Sequence, residues 1–479
     1  MLKPGKHIHF VGVGGIGMSG IAELMSNLGY DVSGSDLKSS PITDRLQSLG
    51  IRFHEGHQAD YVTDADLMVV SSAVPIDNTE WTAAIRAGIP TMSRGDMLAE
   101  ITHLKRSVAV VGSHGKTTTT AMIALVLKEA GLDPTALMGG VLSTFGSNTR
   151  FGHGPFVVVE ADESDRSFLR LSPEIGVLTN IDEEHLDAYD NMSELEDAFV
   201  EFAHRVSSNG CVVACFDDLR LNHLLSRING QCITYGMNNP SSHIYGTEVV
   251  LRPTSSHCHV QIEVGSSKIE TDLHLSVPGR HNIQNALAAF AVGIQLAISP
   301  EKIAKSLEGF VGVNRRFQIH DDIEGVVVID DYGHHPTEIE AVLKTARLRV
   351  PTRLRVVFQP HRYSRTKRLL HRFGEVLAHA DELILTEVYS ASEAPIPGAA
   401  AQDIVEAVNR VSSIPVRLVS SLEAIAGIVV EGSKVGDVVV ILGAGSIGNI
   451  VPGIIEGLRF RACKKTSRSQ QSPESGVTG

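Results

Sequence analysis

The chain has 479 residues, which predicts about three domains, since single hydrophobic cores stop growing near ~250–300 residues. Its 42 basic and 55 acidic residues give a net charge of −13 without a long basic run, which argues against nucleic acid or an anionic membrane as the main partner. The five cysteines lack metal-ligand spacing, so we expect reduced thiols, no disulfide framework and a cytoplasmic protein.

The N-terminal hundred residues alternate short Val/Ile runs with helical patterns. A strand is predicted over 8–13, followed by an amphipathic helix and a second strand over 31–35. A glycine-rich turn over 12–17, Gly-Val-Gly-Gly-Ile-Gly, joins the first strand to the helix. This order predicts a Rossmann-like domain over 1–106.

This first turn matches the dinucleotide-binding fingerprint, and Asp36 lies near the end of the second strand, where a ribose-binding acid would lie. A strand that turns on glycine into a helix leaves unpaired N–H groups and the positive end of the helix dipole facing an anion. The motif predicts a nucleotide-linked ligand but does not identify the nucleotide. An NAD-dependent oxidoreductase is therefore one alternative.

A second glycine-rich turn, Gly-Ser-His-Gly-Lys-Thr-Thr over 112–118, lies between an apolar strand and a helix. It is a shortened Walker motif, because Val110 stands where the full motif has its first glycine. Lys116 would neutralise the β- and γ-phosphates of a nucleoside triphosphate, and Thr117 would ligate Mg²⁺. We predict an ATP-consuming enzyme with a P-loop ATPase-like central domain over 107–312. A nucleotide-binding regulator without chemistry is the alternative outside the enzymes.

Polar residues follow the next two predicted strands of the central domain. Glu160 ends the strand over 156–160, and His185 follows the strand after it. Because the carboxyl ends of parallel strands form the ligand-binding edge of a sheet, we expect both side chains near the lysine turn. Glu160 could hold Mg²⁺ directly or through water. For Glu163 and Asp165 an exposed acidic loop remains an equal possibility.

The C-terminal part repeats the α/β pattern, which predicts a Rossmann-like domain over 313–463. Its predicted strands cover 326–330, 353–358, 382–386 and 437–442. Glycines and a proline interrupt the most apolar late segment, so we expect a soluble protein without a membrane span. The tail over 464–479 has almost nothing to bury and is predicted to be disordered. The predicted fold class is α/β with three domains.

Six further segments carry polar residues in a distinctive order and spacing. They are Val159–Asp165, Asn180–His185, Gly279–Asn285, Arg315–Phe317, Asp330–Pro336 and His361–Thr366. Together with the two glycine-rich turns they resemble the Mur ligase family, up to about residue 460. The resemblance implies ATP-dependent ligation of L-alanine to the carboxylate of UDP-N-acetylmuramate through an acyl phosphate, in peptidoglycan precursor synthesis. A recycling ligase that joins a whole peptide to the same sugar nucleotide is the alternative within the family.

The resemblance also implies the residues of the nucleotide and metal sites. Lys116, Glu160 and His185 would be catalytic, with Thr117 and Glu160 on one Mg²⁺ and His185 on a second. The ATP site would comprise Gly112, Ser113, His114, Gly115, Lys116, Thr117, Thr118, Asn282, Asn285, Arg316 and Asp331. In that site the two asparagines would meet the adenine side, Arg316 rather than Arg315 the phosphates, and Asp331 the ribose.

The same resemblance implies the two substrate sites. The UDP-sugar site would comprise Gly12, Gly14, Gly15, Ile16, Gly17, Asp36, Ser71 and Ser72. The amino-acid site would comprise Tyr332, His334, His361, Arg362 and Arg365. If their segment is helical, the two arginines share a face, and a guanidinium pair suits an α-carboxylate. UDP-N-acetylmuramate and L-alanine are the expected partners, and the protein is expected to be a monomer or weak homodimer.

Overall fold

The protein contains three β-sheets whose strands alternate with helices, one sheet in each predicted domain. The computed structural model describes residues 3–469 except 143, 185–187 and 266. The chain divides into two compact units. The first unit contains two of the sheets and extends to Val313; the second unit begins at Asn314 and also includes the short loops 251–255 and 278–280.

The N-terminal sheet of the first unit has five parallel strands in the order β3-β2-β1-β4-β5. Its elements are β1 (His7–Val11), α1 (Ile16–Asn27), β2 (Asp31–Asp36), α2 (Pro41–Ser48), β3 (Arg52–Glu55), β4 (Leu67–Val70), α3 (Thr79–Ala87), β5 (Thr91–Ser93) and α4 (Arg94–His103). All five residues of β1 are buried, as expected for the central strand of a sheet covered on both faces. The strand order reverses direction between β1 and β4, and ligands of such sheets bind at that point.

The second sheet of the first unit has ten strands, in the order β15-β14-β13-β12-β11-β10-β6-β9-β7-β8. Its elements are β6 (Arg106–Val111), α5 (Lys116–Glu129), β7 (Thr135–Leu142), β8 (Ser147–Arg150), β9 (Phe156–Glu160), β10 (Ile175–Leu178), α6 (Met192–His204), β11 (Cys211–Cys215), α7 (Leu219–Leu224), β12 (Cys232–Gly236), β13 (Ile244–Leu251), β14 (Ser256–Val264), β15 (Ser267–Leu275), α8 (Arg280–Gln295) and α9 (Pro300–Glu308). The strands from β13 to β7 run parallel, and an antiparallel pair lies at each edge. Helix α5 is buried from Thr117 to Leu127, which holds the lysine turn against the centre of the sheet.

The second unit has one sheet of six strands in the order β16-β17-β21-β18-β19-β20, parallel except for the edge strand β16. Its elements are β16 (Gln318–Ile323), β17 (Val326–Asp331), α10 (Pro336–Arg347), β18 (Arg353–Phe358), α11 (Tyr363–Arg368), α12 (Leu370–Leu377), β19 (Glu382–Leu385), α13 (Ala401–Val411), β20 (Val416–Leu418), α14 (Leu422–Gly432), β21 (Asp437–Leu442) and α15 (Val451–Ser469). Alternate residues of β21 enter two separate apolar clusters, so both faces of the sheet are covered.

The α/β class is confirmed, and the predicted strands over 156–160, 353–358 and 437–442 have the predicted limits. The C-terminal end differs from the prediction, because α15 continues to Ser469 through the first six residues of the expected disordered tail. Extending an existing helix fixes only one further residue for each hydrogen bond, so a polar sequence can continue it. Residues 470–479 of that tail lie outside the described part of the chain.

All five cysteines are free thiols. In the described part of the chain, no helix combines the length and apolar character needed to cross a membrane.

A buried ion pair in the second unit leads to a testable prediction about the stability of the fold. The Arg355 guanidinium lies in the core and donates to the Glu382 carboxylate at 2.9 and 3.3 Å and to the Val429 carbonyl at 3.0 Å. We expect Arg355→Met to lower the free energy of unfolding by about 3 kcal/mol, because it leaves a buried carboxylate with one fewer partner. Urea denaturation followed by circular dichroism measures this change. Arg410→Met, at a side chain that is 69% exposed, is the control. Equal unfolding midpoints of the two variants would contradict the expectation.

Candidate functional site

The lysine turn between β6 and α5 requires glycine at two positions. Gly112 has φ +137° and Gly115 has φ +80°, which side chains with a Cβ rarely adopt. A Cβ at Gly112 would lie 2.0 Å from the Thr179 hydroxyl oxygen, and one at Gly115 would lie 2.6 Å from Asn285 Oδ1. The backbone of the turn is therefore closely surrounded on two sides.

The segment after β10 holds this turn in shape. The His114 N–H donates to Asn180 Oδ1 at 2.8 Å, and the His114 carbonyl accepts from the Thr179 hydroxyl at 2.7 Å and from Asn180 Nδ2 at 3.0 Å. The Ser113 hydroxyl accepts from the Asp182 N–H at 2.8 Å. These contacts fix the backbone of the turn, so the start of α5 is preorganised to receive an anion.

Lys116 lies inside the turn and pairs with Glu163. Its ammonium donates to both Glu163 carboxylate oxygens at 2.9 Å and to the Gly112 carbonyl at 2.6 Å. Burial disfavours the ammonium, but the carboxylates of Glu163, Asp162 and Glu160 outweigh this and raise the pKa of Lys116. Burial raises the pKa of Glu163 to about 7, against the attraction of Lys116. Glu163 is therefore a buried partner of the lysine, and the exposed-loop alternative is wrong for this residue.

Oxygen ligands for a hard cation lie beside this pair. Glu160, at the end of β9, accepts from the Gly139 N–H at 2.7 Å, and Thr117 follows Lys116 on α5. A carboxylate and a hydroxyl next to a nucleotide turn fit the donor preference of Mg²⁺. His185, predicted to hold a second ion, lies outside the described residues.

A cavity of ≈ 270 Å³ in the first unit joins the N-terminal turn to the acidic end of β9. Five of the predicted UDP-sugar residues line it: Gly15, Ile16, Gly17, Ser71 and Ser72. From the central sheet it is lined by Glu160, Asp162, Ser164, Asp165 and Asn148, among others. The cavity thus has the glycine turn at the start of α1 on one side and, on the other, carboxylates whose charges act on Lys116.

Three predicted UDP-sugar residues, Gly12, Gly14 and Asp36, do not line the cavity. Asp36 instead accepts from the Gly14 N–H at 2.8 Å and from the Leu37 N–H at 2.8 Å. Its carboxylate thus fixes the shape of the turn, a role that its position in the fingerprint does not distinguish from ribose binding.

Arg94 is a cavity residue that the sequence reasoning missed. Its guanidinium lies 3.1 Å from Asp165 Oδ2 and 3.4 Å from the Ser167 hydroxyl. A polar residue directly after strand β5 is the only sequence signal for it. The guanidinium adds a positive charge to a cavity whose other ionisable groups are carboxylates.

The two asparagines predicted for the adenine side are both buried on α8. Asn285 Oδ1 accepts from the Thr119 hydroxyl at 3.2 Å, so it supports the first turn of α5. Asn282 lies one helical turn earlier on α8 and is 7% exposed.

In the second unit, Asp331 is buried and accepts from the N–H groups of Phe317 and Gly333, each at 2.6 Å. Burial raises its pKa to about 6, against the attraction of Arg316. Arg315 donates to the Gly443 carbonyl at 2.6 Å, whereas Arg316 lies 3.8 Å from Glu338. Arg315 is therefore fixed to its own sheet.

Three of the predicted amino-acid residues form a row of neighbouring rings, and Arg365 lies beside one of them. The His334 ring centroid lies 5.7 Å from that of Tyr332 and 5.4 Å from that of His361. Arg365 is 5% exposed and lies 3.1 Å from His361 Nδ1. Arg362 precedes α11 with φ +67°, so the helical spacing expected to pair the two arginines on one face does not apply.

Three family models match successive parts of the chain: the Mur ligase family catalytic domain over 7–106, the Mur ligase middle domain over 110–293 and the Mur ligase glutamate ligase domain over 315–445. The UDP-N-acetylmuramate–L-alanine ligase of Solibacter usitatus is 46% identical, over 95% of this chain and 96% of its own length.

Solved structures give the same result. The UDP-N-acetylmuramate–alanine ligase of Thermotoga maritima aligns with a TM-score of 0.81 at 32% identity, over 95% of this chain and 99% of that one. A murein peptide ligase from Psychrobacter arcticus aligns with a TM-score of 0.72 at 25% identity, over 95% and 99% respectively. The three matching models and these relatives show that the chain belongs to the Mur ligase family.

Proposed function

We propose that the protein catalyses the ATP-dependent ligation of L-alanine to the carboxylate of UDP-N-acetylmuramate, a step of peptidoglycan precursor synthesis. Members of the family use ATP, and relatives at 44–46% identity over nearly the whole chain are named for this reaction. The observation that carries the proposal is the cavity that leads from the N-terminal glycine turn to Glu160 and Asp162, whose charges act on Lys116.

The chemistry follows from the low reactivity of a carboxylate toward an amine. One carboxylate oxygen of the sugar nucleotide bonds to the γ-phosphorus of ATP, the bond to ADP breaks, and an acyl phosphate results. The amine of L-alanine then attacks the acyl carbon to give a tetrahedral intermediate. This intermediate expels phosphate, and the nitrogen loses its proton to give the amide.

Charge repulsion between the carboxylate and the γ-phosphate is the main obstacle to the first step. The N–H groups of the lysine turn and the ammonium of Lys116 would bind the phosphates. Thr117 and Glu160 would hold one Mg²⁺, and we assign His185 to a second; these ions would offset further negative charge. Asn282 and Asn285 are assigned to the adenine, with Arg316 on the phosphates and Asp331 on the ribose.

The substrates would be held by two sets of residues. The N-terminal turn, Ser71 and Ser72 would bind the UDP-sugar, with Arg94 as an additional positive charge in the cavity. Arg365 and the ring group of Tyr332, His334 and His361 would bind the amino acid, with Arg362 nearby in sequence.

We also propose a reducing, cytoplasmic setting and a monomer or weak homodimer without a nucleic-acid partner.

A direct assay tests the proposed reaction. We expect phosphate release from ATP to require both UDP-N-acetylmuramate and L-alanine, and the product to be the alanyl amide detected by mass spectrometry. Omitting either substrate is the control. Faster turnover with a tripeptide than with L-alanine would instead favour the recycling ligase. Binding of NADH without binding of UDP-N-acetylmuramate would favour the oxidoreductase.

Lys116 provides a test of phosphate binding. We expect Lys116→Met to lower kcat by about 10²–10³-fold, because a preorganised charge facing the transferred phosphoryl group is lost. Lys128→Met, near the other end of α5, should keep the wild-type kcat. Stopped-flow or steady-state phosphate release measures both.

Removing Lys116 also leaves Glu163 buried without its cation, which could lower activity through folding alone. The double variant Lys116→Met/Glu163→Gln removes the buried charge and should unfold near the wild-type temperature while remaining inactive. Wild-type kcat in this stable double variant would contradict a role of Lys116 in catalysis.

Arg365 provides a test of the amino-acid site. We expect Arg365→Ala to raise the KM for L-alanine by about 10–100-fold, the effect of losing one charged hydrogen bond, with little change in the KM for ATP. Arg372→Ala, on the exposed side of α12, is the matched control. Because Arg365 is buried, thermal unfolding is measured alongside the kinetics. A parallel rise in both KM values would show that Arg365 supports the fold and would remove it from the amino-acid site.

A further inference from the structure

The side chain of Glu80, in the first turn of α3, is fully buried, and the proposed ligation chemistry does not use it. Three polar groups surround its carboxylate. Oε2 lies 2.7 Å from His9 Nε2 and 2.8 Å from the Ser35 hydroxyl, and Oε1 lies 2.9 Å from His57 Nδ1. The carboxylate therefore joins α3 to β1, to β2 and to the segment that follows β3.

This buried carboxylate is ionised. Burial favours its protonated form, but the hydrogen bond and the charge of His9, together with the hydrogen bonds from Ser35 and His57, outweigh burial and lower the pKa of Glu80. Because an ionised carboxylate only accepts hydrogen bonds, both imidazole nitrogens and the hydroxyl donate to it. A buried charged pair often stabilises a core no more than well-packed apolar side chains of similar volume. The distinctive property of this network is therefore the direction that its hydrogen bonds impose on the groups around it.

Ser35 connects the carboxylate to the glycine turn of the N-terminal sheet. Its side chain donates to Glu80, and its carbonyl accepts from the N–H groups of Gly12 and Val13 at 2.9 and 3.0 Å. Gly12 is the first residue of the turn and has φ +80°. The residue that holds the start of the turn is thus itself held by Glu80.

Glu80 is also close in sequence to the second predicted part of the sugar-nucleotide site. Helix α3 follows the segment 71–78, and Ser71 and Ser72 of that segment line the cavity together with the turn. A Cβ added at Gly12 would lie 3.0 Å from the Cβ of Ser71, so the segment and the turn are packed against each other. One carboxylate is therefore bonded to elements that carry both parts of this cavity wall.

We infer that Glu80 is a positioning residue of the sugar-nucleotide site, acting through Ser35 on the glycine turn. The inference rests on the proposed function, because it takes this turn as the binding site of UDP-N-acetylmuramate. Glu80 does not line the cavity, so its substitution removes no direct contact with a ligand there. A network that only stabilised the fold would affect the binding of ATP and of the sugar nucleotide alike.

Steady-state kinetics of Glu80→Gln separate these two explanations. Glutamine keeps the size of the side chain but replaces one acceptor oxygen with a donor amide group and removes the charge. We expect the KM for UDP-N-acetylmuramate to rise by about tenfold, as for the loss of one charged hydrogen bond, while kcat and the KM for ATP change by less than about twofold. Glu201→Gln, at a side chain that is 51% exposed on α6, is the control and should keep the wild-type constants.

A second variant tests the route through Ser35. Ser35→Ala leaves Glu80 bonded to both imidazoles, so it should raise the same KM by a smaller factor. If Glu80 acts through Ser35, the two effects are not additive, and the double variant should have about the same KM as Glu80→Gln.

Hydrogen–deuterium exchange of the protein without substrates tests the positioning directly. We expect faster exchange at the Gly12 and Val13 N–H groups in both single variants and wild-type exchange in α5, because only the turn loses its support. If Glu80→Gln does not fold, Ser35→Ala, which removes a single hydroxyl, decides the question. Unchanged exchange at the turn, or an equal rise in the KM values for ATP and the sugar nucleotide, would overturn the inference. Absence of ligation by the wild type would overturn the proposed function instead, and the exchange result would still show whether Glu80 holds the turn.

Discussion

The ion pair between Lys116 and Glu163 is the interaction on which the ligase site depends. The Glu163 carboxylate is buried in the segment that follows β9, and the Lys116 ammonium belongs to the first residue of α5, so the pair links two neighbouring parts of the central domain. Because the Lys116 ammonium is already desolvated and held in one position, it needs little reorganisation when a phosphate binds. The two glycines of the turn and the side chains of Thr179 and Asn180 maintain the backbone geometry that this arrangement requires.

The two sheets of the first unit bring complementary chemistry to one cavity. The N-terminal sheet contributes its glycine turn at the point where its strand order reverses, which is where open parallel sheets bind ligands. The central sheet contributes carboxylates at the ends of its strands. A substrate with a phosphate at one end and a reactive carboxylate at the other fits this division, because the carboxylate would be directed toward the lysine turn.

The local sequence was sufficient to predict the turns and the strands, but it did not predict which groups their side chains contact. Glycine, lysine and apolar runs predict the lysine turn because those residues are required by its own backbone. Glu163 could not be assigned from sequence, since an acidic run is usually exposed and its burial depends on Lys116, 47 residues away. Asp36 has the expected position, yet the Gly14 N–H competes for its carboxylate. The helical pairing of Arg362 with Arg365 failed because α11 begins one residue later.

Two glycines allow the walls around the cavity of the N-terminal turn to approach each other closely. Within the first unit, Gly20 on α1 approaches Thr149 so closely that an added Cβ would lie 2.7 Å from the Thr149 hydroxyl oxygen. An added Cβ at Gly95 on α4 would lie 2.5 Å from the Cβ of Ser167. The Asn148 amide also donates to the Ile16 carbonyl at 2.7 Å, so the two walls are joined by a hydrogen bond. A methyl group at either glycine would act as a spacer between the walls. The room that this cavity offers a ligand therefore depends on how closely its walls approach each other as well as on the side chains that line it.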